Sequence, residues 1–356
     1  MNIRNFSSLL ALALALACGA NTVDLDATVM QSSNEPGVLG IVHERVEQIA
    51  VDDERLYWFG SRLQDTDARN VSFLHSCQKR NCASTLVTYD AQPTDGSGIF
   101  SVNGGQIYWY RLNSGELLAC PIAGCSGAPR KLASELTFHV ATFDDDRLYF
   151  LADGSVVALS LSQPATPQAV ASSKENLPEV TMAVDDVYAY WLTTANDRQV
   201  LVRTRKDGSS AVESISDDVR QSNAHAFSIA TDSTSIYWTN NPLSGSINRC
   251  PLSGCTGVSD VIIGPLRSPQ KLLIDGSELY YEYEPRPYEY ALSVCTLPSC
   301  ESSKALIEQL DAPGVLAMDD ENLYVATTEQ DVSPANPGED TIARIRRLPK
   351  ARRELP

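Results

Sequence analysis

Cysteine is the residue type whose spacing carries the most chemical information in this chain of 356 residues. Eight of the nine cysteines form four C-x₄-C pairs: Cys77 with Cys82, Cys120 with Cys125, Cys250 with Cys255, and Cys295 with Cys300. Residues that flank a four-residue hairpin loop face each other about 4.5–5.5 Å apart, which suits an unstrained disulfide. The spacing therefore predicts four turn disulfides, each closing a loop of about six residues and contributing only about 2 kcal/mol.

The ninth cysteine, Cys18, follows an apolar run from Leu9 to Ala17 that is preceded by one cation, Arg4. A run of this length is too short to cross a bilayer as a helix, which takes about 20 residues, so residues 1–17 indicate an export signal. The sequence Ala15-Leu-Ala-Cys-Gly19 resembles the lipobox of bacterial lipoproteins, although that family usually has Leu at the position of Ala15.

This resemblance implies that Cys18 is the lipidation site and the first residue of the mature chain. We therefore expect an exported protein that is lipid-anchored in the bacterial cell envelope, at the outer membrane or cell surface, with residues 18–37 as a flexible tether. Eight cysteines, an even number, would remain for disulfides. The alternative is an ordinary secretory signal and a secreted protein.

Histidine and carboxylate side chains are candidates for acid–base chemistry. His139 and His225 lie in predicted connections between repeats, and Glu179 is a carboxylate that could assist either of them, as a lyase or hydrolase would require. No G-x-S-x-G, H-E-x-x-H or phosphate-loop motif accompanies them. We regard these three residues as weak catalytic candidates and favour a non-enzymatic protein.

A tyrosine-rich segment, residues 280–290, holds five of the 14 tyrosines. Tyrosine and arginine combine large contact areas with polar tips, which suits a surface that binds a protein, peptide or glycan. The candidate binding residues are Tyr281, Tyr283, Arg286, Tyr288 and Tyr290. The alternative is a hairpin stabilised by aromatic cross-strand pairs.

The elements that must position these residues are seven repeats, spaced 41–51 residues apart, and each is centred on a tyrosine. The tyrosines are Tyr57, Tyr108, Tyr149, Tyr190, Tyr237, Tyr280 and Tyr324. All four tryptophans follow such a tyrosine directly, and an Asp or Asn stands five residues before each one. An Asx residue can cap a tight turn through its side chain, so each unit predicts a strand, an Asx turn and a second strand.

Consecutive apolar residues such as Tyr57-Trp58 imply a strand that is buried on both faces. Small four-stranded antiparallel sheets packed in a ring meet this requirement, and the period fits one blade per repeat. We predict an all-β, seven-bladed β-propeller over residues 38–349, with six blades as the alternative and residues 350–356 as a basic tail. The last repeat lacks a fourth strand, which an N-terminal strand at Val38–Glu47 would supply and so close the ring.

The sequence Tyr237-Trp-Thr-Asn240 is similar to the repeat that names the YWTD propellers, and Val202-Arg-Thr-Arg-Lys-Asp-Gly208 resembles a turn of TolB-like and NHL-like propellers. The resemblance implies the fold but no particular ligand. The cysteine pairs fall at turns between third and fourth strands, on the outer rim. Two four-cysteine zinc sites are the alternative to disulfides there, and we favour disulfides because neighbouring blades diverge at the rim.

The formal net charge of −17 would repel a phosphate backbone, so we expect no nucleic-acid partner. We predict no metal site and no cofactor. The leading hypothesis is a lipid-anchored binding module that takes a protein, peptide or glycan through the propeller face with the variable loops. The alternatives are an exported lyase or hydrolase that uses His139 or His225, and a structural envelope protein.

Overall fold

The structure is a computed structural model. It describes residues 30–31, 33, 35–64, 69–93, 98–138, 140–152, 155–163, 166–172, 181–195, 198–219, 228–240, 244–255, 258–310, 312–330 and 341–350. These residues form seven antiparallel sheets arranged as the blades of a propeller. The predicted all-β, seven-bladed ring is therefore confirmed, and the six-bladed alternative is wrong.

The strands follow one another along the chain, blade by blade, and the described residues also include a short 3₁₀ helix at Cys82–Ser84. In the part of the chain that the structure describes, two strands precede blade 1: β1 (Met30–Gln31) and β2 (Val38–Val42). Blades 1 and 2 contain β3 (Arg45–Val51), β4 (Arg55–Gln64), β5 (Arg69–Gln78), β6 (Val87–Pro93), β7 (Ile99–Asn103), β8 (Gln106–Arg111), β9 (Glu116–Pro121) and β10 (Arg130–Ala133). Blades 3 and 4 contain β11 (Ala141–Phe143), β12 (Arg147–Ala152), β13 (Ser155–Ser160), β14 (Gln168–Ser172), β15 (Met182–Val184), β16 (Tyr188–Ala195), β17 (Arg198–Arg205) and β18 (Glu213–Val219).

The last three blades complete the ring. Blades 5 and 6 contain β19 (Ile229–Thr231), β20 (Ser235–Asn240), β21 (Gly245–Pro251), β22 (Asp260–Leu266), β23 (Leu272–Asp275), β24 (Glu278–Arg286), β25 (Glu289–Thr296) and β26 (Ser303–Leu310). Blade 7 contains β27 (Val315–Met318), β28 (Asn322–Gln330) and β29 (Thr341–Pro349), and it then continues into the N-terminal strands β2 and β1.

The ring closes where β2 pairs with β29, with Val38 opposite Arg346 and Val42 opposite Ala343. The N-terminal strand thus supplies the missing fourth strand, as predicted. The predicted range Val38–Glu47 is too long, however, because the strand ends at Val42 and the chain starts the first strand of blade 1 at Arg45. Blade 1 needs its own inner strand before the turn at Asp52, and that strand uses the rest of the range.

The Asx turns have two forms. In five blades the Asx carboxylate accepts backbone N–H groups two and three residues later, as Asp185 does from Val187 and Tyr188, both at 2.7 Å. In blades 2 and 6 the ladder runs through the Asx residue itself, pairing Asn103 with Gln106 and Asp275 with Glu278. Those tighter turns use glycines at positive φ, including Gly276 at 58°.

The paired aromatic residues of each second strand face opposite neighbours. Tyr190 packs in the core between blades 4 and 5, whereas Trp191 packs between blades 3 and 4. Tyr237 and Trp238 repeat the arrangement one blade further on. Seven apolar clusters, one between each pair of neighbouring blades, therefore form the core of the described ring.

Candidate binding surface

The two faces of the ring differ in the connections that they carry. On one face, which we call the turn face, the first-to-second and third-to-fourth strand turns are joined by backbone hydrogen bonds, such as Lys79 N to Glu54 O at 2.9 Å and Lys206 N to Val187 O at 2.9 Å. The opposite face, the loop face, carries the second-to-third strand hairpins and the crossovers between blades. A ligand site on variable loops would therefore lie on the loop face.

The turn face is fastened by disulfides and ion pairs. The four C-x₄-C pairs are joined by disulfides, with Cα–Cα distances of 4.7, 5.3, 5.3 and 5.0 Å in chain order. Because these eight sulfurs are bonded in pairs, they offer no thiolates for the alternative zinc sites. Lysines also link neighbouring blades here, since Lys79 reaches Asp319 at 2.5 Å and Lys206 reaches Asp144 at 2.7 Å.

The weak catalytic candidates His139, His225 and Glu179 lie outside the described residues, as does the predicted lipidation site, Cys18. Among the residues that the structure describes, no group of three or more metal-binding side chains comes together. That same part of the chain contains no helix with the length and hydrophobicity of a membrane span.

The tyrosine-rich segment forms the β24–β25 hairpin of blade 6, and its residues occupy different environments. Tyr281 is only 3% exposed and packs in the core between blades 5 and 6. Tyr283 and Tyr290 are half-buried against the two cores that flank blade 6. Tyr288 is 85% exposed at the hairpin tip, and the Arg286 side chain is 77% exposed beside it. Only Arg286 and Tyr288 of the five candidates are thus open to a partner.

The hairpin tip is held in one conformation by a buried carboxylate. Glu284 is 7% exposed and accepts from the backbone N–H of Tyr288 at 2.6 Å and from Arg267 Nε at 2.9 Å. Burial opposes ionisation of this carboxyl, but these two bonds outweigh it and lower its pKa. Tyr288 adopts a φ of 64°, which is uncommon for a residue with a side chain and needs such support. The hairpin therefore presents Tyr288 as a fixed projection.

A second carboxylate, Glu282, lies beneath the hairpin between blades 6 and 7. It is fully buried, and its Oε1 accepts from Gly314 N at 3.0 Å. Its Oε2 has no hydrogen-bond partner among the described residues. Burial raises the pKa of Glu282 to about 7, although the Gly314 bond and the nearby Lys271 pull it down. The residue is therefore a structural acid that titrates near neutrality.

Sequence reasoning did not single out Glu282, Glu284 or Arg267. A signal for Glu282 was present, because residues 280 and 281 were expected to be buried on opposite faces and the alternation of a strand places residue 282 on the same side as residue 280. No signal marked Arg267, because its pairing with Glu284 depends on how the crossover from blade 5 runs beside β24. Backbone bonds such as Glu284 N to Arg267 O at 2.9 Å fix that path.

No protein-family model and no curated protein matches the chain. Among solved structures it is similar to the β-propeller domain of the trilobed protease from Pyrococcus furiosus, with 8% identity, 85% of this chain and 93% of that chain covered, and a TM-score of 0.54.

The chain is also similar to one in a nidogen/laminin complex, with 16% identity, coverage of 68% and 92%, and a TM-score of 0.44. A third match is TolB from Acinetobacter baumannii, with 12% identity, coverage of 80% and 78%, and a TM-score of 0.43. A YWTD-type propeller and TolB are thus among its structural neighbours. The Pyrococcus likeness supports the propeller fold, and the ligand must be inferred from this chain's own surface.

Proposed function

We propose that the protein is an extracytoplasmic, lipid-anchored binding module that takes a protein, peptide or glycan through its loop face. The propeller is a rigid frame whose hairpins and crossovers present side chains to a partner. Its four disulfides are consistent with an oxidising, extracytoplasmic location. The N-terminal sequence supports export through residues 1–17 and attachment through Cys18.

The observation that carries the binding proposal is the fixed, exposed tip of the β24–β25 hairpin. Tyrosine and arginine are the residue types that most often dominate binding energy at interfaces. Here Tyr288 and Arg286 project from the loop face, and Glu284 holds the backbone beneath them. Because the backbone of the tip is already held in place, the hairpin would lose little conformational entropy when a partner binds. Tyr281, Tyr283 and Tyr290 then support the hairpin from within.

Affinity capture from the native envelope tests this function. The bait is the folded protein, compared with the Tyr288→Ala/Arg286→Ala double variant and with a control variant, Val187→Ala, at a partly exposed position on the turn face. We expect the double variant to lose at least tenfold of the retained ligand and the control to keep it. Equal retention by all three proteins would refute binding through this hairpin.

Mass spectrometry of the mature N-terminus tests the anchor separately. We expect a mature chain that begins at Cys18 and carries acyl groups, followed by a tether up to residue 37 and the propeller body over residues 38–349. An unmodified N-terminus at another position would exclude the lipid anchor and leave the secreted form.

A further inference from the structure

Asn103 departs from the other six repeats at the Asx residue of the turn between the first and second strands. All the others have aspartate there, and Asn103 is followed by Gly104 and Gly105. Its position is also the only place in the sequence where glycine directly follows asparagine. Attack of a backbone nitrogen on a side-chain amide meets the least steric hindrance in this dipeptide, because glycine has no β-carbon beside its nitrogen.

The structure explains why this repeat carries an amide. Blade 6 has the same tight turn, and its Asp275 accepts a hydrogen bond from Lys350 Nζ of blade 7 at 2.6 Å. In blade 2 the group that faces Asn103 from the next blade is the backbone oxygen of Asp145, and Asn103 Nδ2 donates to it. A carboxylate at position 103 would place two acceptors against each other.

The turn leaves the attacking nitrogen open. Gly104 and Gly105 are exposed, with φ values of 56° and 74°, and a β-carbon on either would meet nothing within 4 Å beyond its chain neighbours. The N–H of Gly104 donates to no other described residue. The ladder ends at the pair Asn103 and Gln106. Such a hairpin end opens locally, at a small free-energy cost and without unfolding of the sheet.

We propose that Asn103 deamidates spontaneously in the folded protein and that its products loosen the joint between blades 2 and 3 on the turn face. The backbone nitrogen of Gly104 attacks Cγ of Asn103 and forms a five-membered cyclic imide. The proton of that nitrogen and the side-chain amino group leave together as ammonia. Water then opens the imide at either carbonyl carbon, which gives an aspartyl residue or an isoaspartyl residue whose main chain runs through Cγ.

Both products weaken the contact with blade 3. They remove the donor that Asn103 Nδ2 offers to the Asp145 oxygen, and they add a negative charge beside a turn that already exposes Asp145 and Asp146. The isoaspartyl form also lengthens the main chain of a two-residue turn, which disturbs the register of Asn103 with Gln106. The turn of blade 2 is therefore expected to separate from that of blade 3.

Peptide mapping by mass spectrometry, after incubation of the folded protein near neutral pH, tests the modification. We expect Asn103 to be converted at least tenfold faster than any other asparagine of the chain, with aspartyl and isoaspartyl products both present. Asn103→Gln is the matched control, because glutamine must close a six-membered ring, and this position should then stay unmodified. Conversion of Asn103 no faster than that of the other asparagines would overturn the proposal.

Asp232→Ala distinguishes local opening of the turn from global unfolding. It removes the acceptor of the Thr234 and Ser235 N–H groups in blade 5 and leaves the turn of blade 2 as it is. If only the unfolded chain reacted, the conversion rate would rise with the unfolded population, on the order of a hundredfold. We expect the rates of this variant and the wild type to agree within twofold. A rate that follows global stability would refute deamidation in the folded state.

Asn103→Asp carries the aspartyl product from the outset and tests its effect on the ring. We expect the backbone amides of Asp146 and Arg147 in the blade 3 turn to exchange hydrogen at least fivefold faster than in the wild type. The equivalent amides of blade 5, at Thr234 and Ser235, should keep their rates, and a retained cooperative melting transition verifies the fold. Unchanged exchange in blade 3 would show that the Asn103 amide does not join the two blades.

Discussion

The Tyr57 hydroxyl donates a hydrogen bond to Asp52 Oδ2 at 2.6 Å, while Asp52 Oδ1 accepts from the backbone N–H groups of Glu54 and Arg55 at 2.9 and 2.7 Å. One carboxylate thus caps the turn and ties it to an aromatic ring buried in the core. The same contact joins Tyr190 to Asp185, Tyr237 to Asp232, and Tyr324 to Asp319 at 2.5–2.8 Å. In these four blades the five-residue spacing between Asp and Tyr brings the hydroxyl back to the turn.

Asp232→Ala is expected to destabilise the ring more than Tyr237→Phe. The alanine variant leaves the N–H groups of Thr234 and Ser235 without their acceptor as well as the Tyr237 hydroxyl. We expect losses of about 3 kcal/mol and about 1 kcal/mol respectively, from the usual contributions of such hydrogen bonds. Urea unfolding measures both. Equal losses would mean that the bonds from Asp232 to the backbone of the turn do not contribute to the free energy of unfolding.

The Tyr237 hydroxyl itself should stay protonated in strongly alkaline solution. Burial, followed by its hydrogen bond to Asp232, raises the pKa of Tyr237 to about 12. We expect its phenolate absorbance, obtained as the difference between the wild type and Tyr237→Phe, to appear about two pH units above the ordinary tyrosine pKa of 10.0. Appearance at the ordinary value would contradict the buried Asp–Tyr contact.

A disulfide contributes to stability without holding the ring together. Replacing Cys250 and Cys255 together by serine reopens a loop of about six residues, so we expect a loss of about 2 kcal/mol and a retained cooperative transition. Ser253→Ala, within the same loop, is the matched control and should change the free energy of unfolding by less than about 0.5 kcal/mol. Complete unfolding of the double variant would show that the disulfide stabilises more of the ring than its own turn.

The sequence was informative where a local requirement repeats. Consecutive residues such as Tyr237 and Trp238 must be buried on both faces of a strand, and the structure packs them against different neighbouring blades. The Asx turns, the cysteine pairs and the closing strand are equally local, since each depends on a short segment and its periodicity. These features were sufficient to predict the propeller.

The surface could not be predicted in the same way, because exposure depends on register. Tyr281 and Tyr288 lie seven residues apart in one segment, yet Tyr281 sits opposite Ser293 inside the ladder whereas Tyr288 occupies the tight turn. The buried contact between Glu44 and His75 was missed for a related reason. These two residues belong to no repeated motif, and they meet only because the ring closes at the junction of β2 and β3.

Among the residues at the junction of β2 and β3, Glu44 is the one whose replacement is expected to lower the stability of the protein most. Its carboxylate is fully buried and contacts Trp58 Nε1 at 3.2 Å and His75 Nε2 at 3.1 Å. Glu44→Ala leaves both groups without a partner in the core, so we expect the free energy of unfolding to fall by about 3–5 kcal/mol. Glu44→Gln keeps an acceptor and should recover about half of this loss. Urea unfolding measures the losses, with the exposed Glu54→Ala as control. A loss below 1 kcal/mol for Glu44→Ala would exclude a role in closing the ring.

Glu282 should make the stability of the protein depend on pH near neutrality. Its pKa is raised from the ordinary value of 4.5 to about 7, chiefly by burial. The folded state therefore holds the proton more tightly than the unfolded chain, and the stability that this confers is complete below pH 4.5 and lost as the pH rises through 7. Glu282→Gln keeps an acceptor for Gly314 N and cannot ionise. We expect it to exceed the wild type by about 3 kcal/mol at pH 8 and by less than about 1 kcal/mol at pH 5.

Urea unfolding at the two pH values measures this difference, and Glu289→Gln at the more exposed hairpin position is the matched control. The comparison separates the buried carboxyl from the general acidity of the chain, since both variants remove one negative charge and only one removes it from the interface between blades 6 and 7. A Glu282→Gln gain that is the same at pH 5 and pH 8 would place the ionisation of this residue outside that range. Ionisation below pH 5 would mean that a nearby positive charge stabilises the buried carboxylate. Lys271, whose charge lowers the pKa of Glu282, is the first residue to replace in that case.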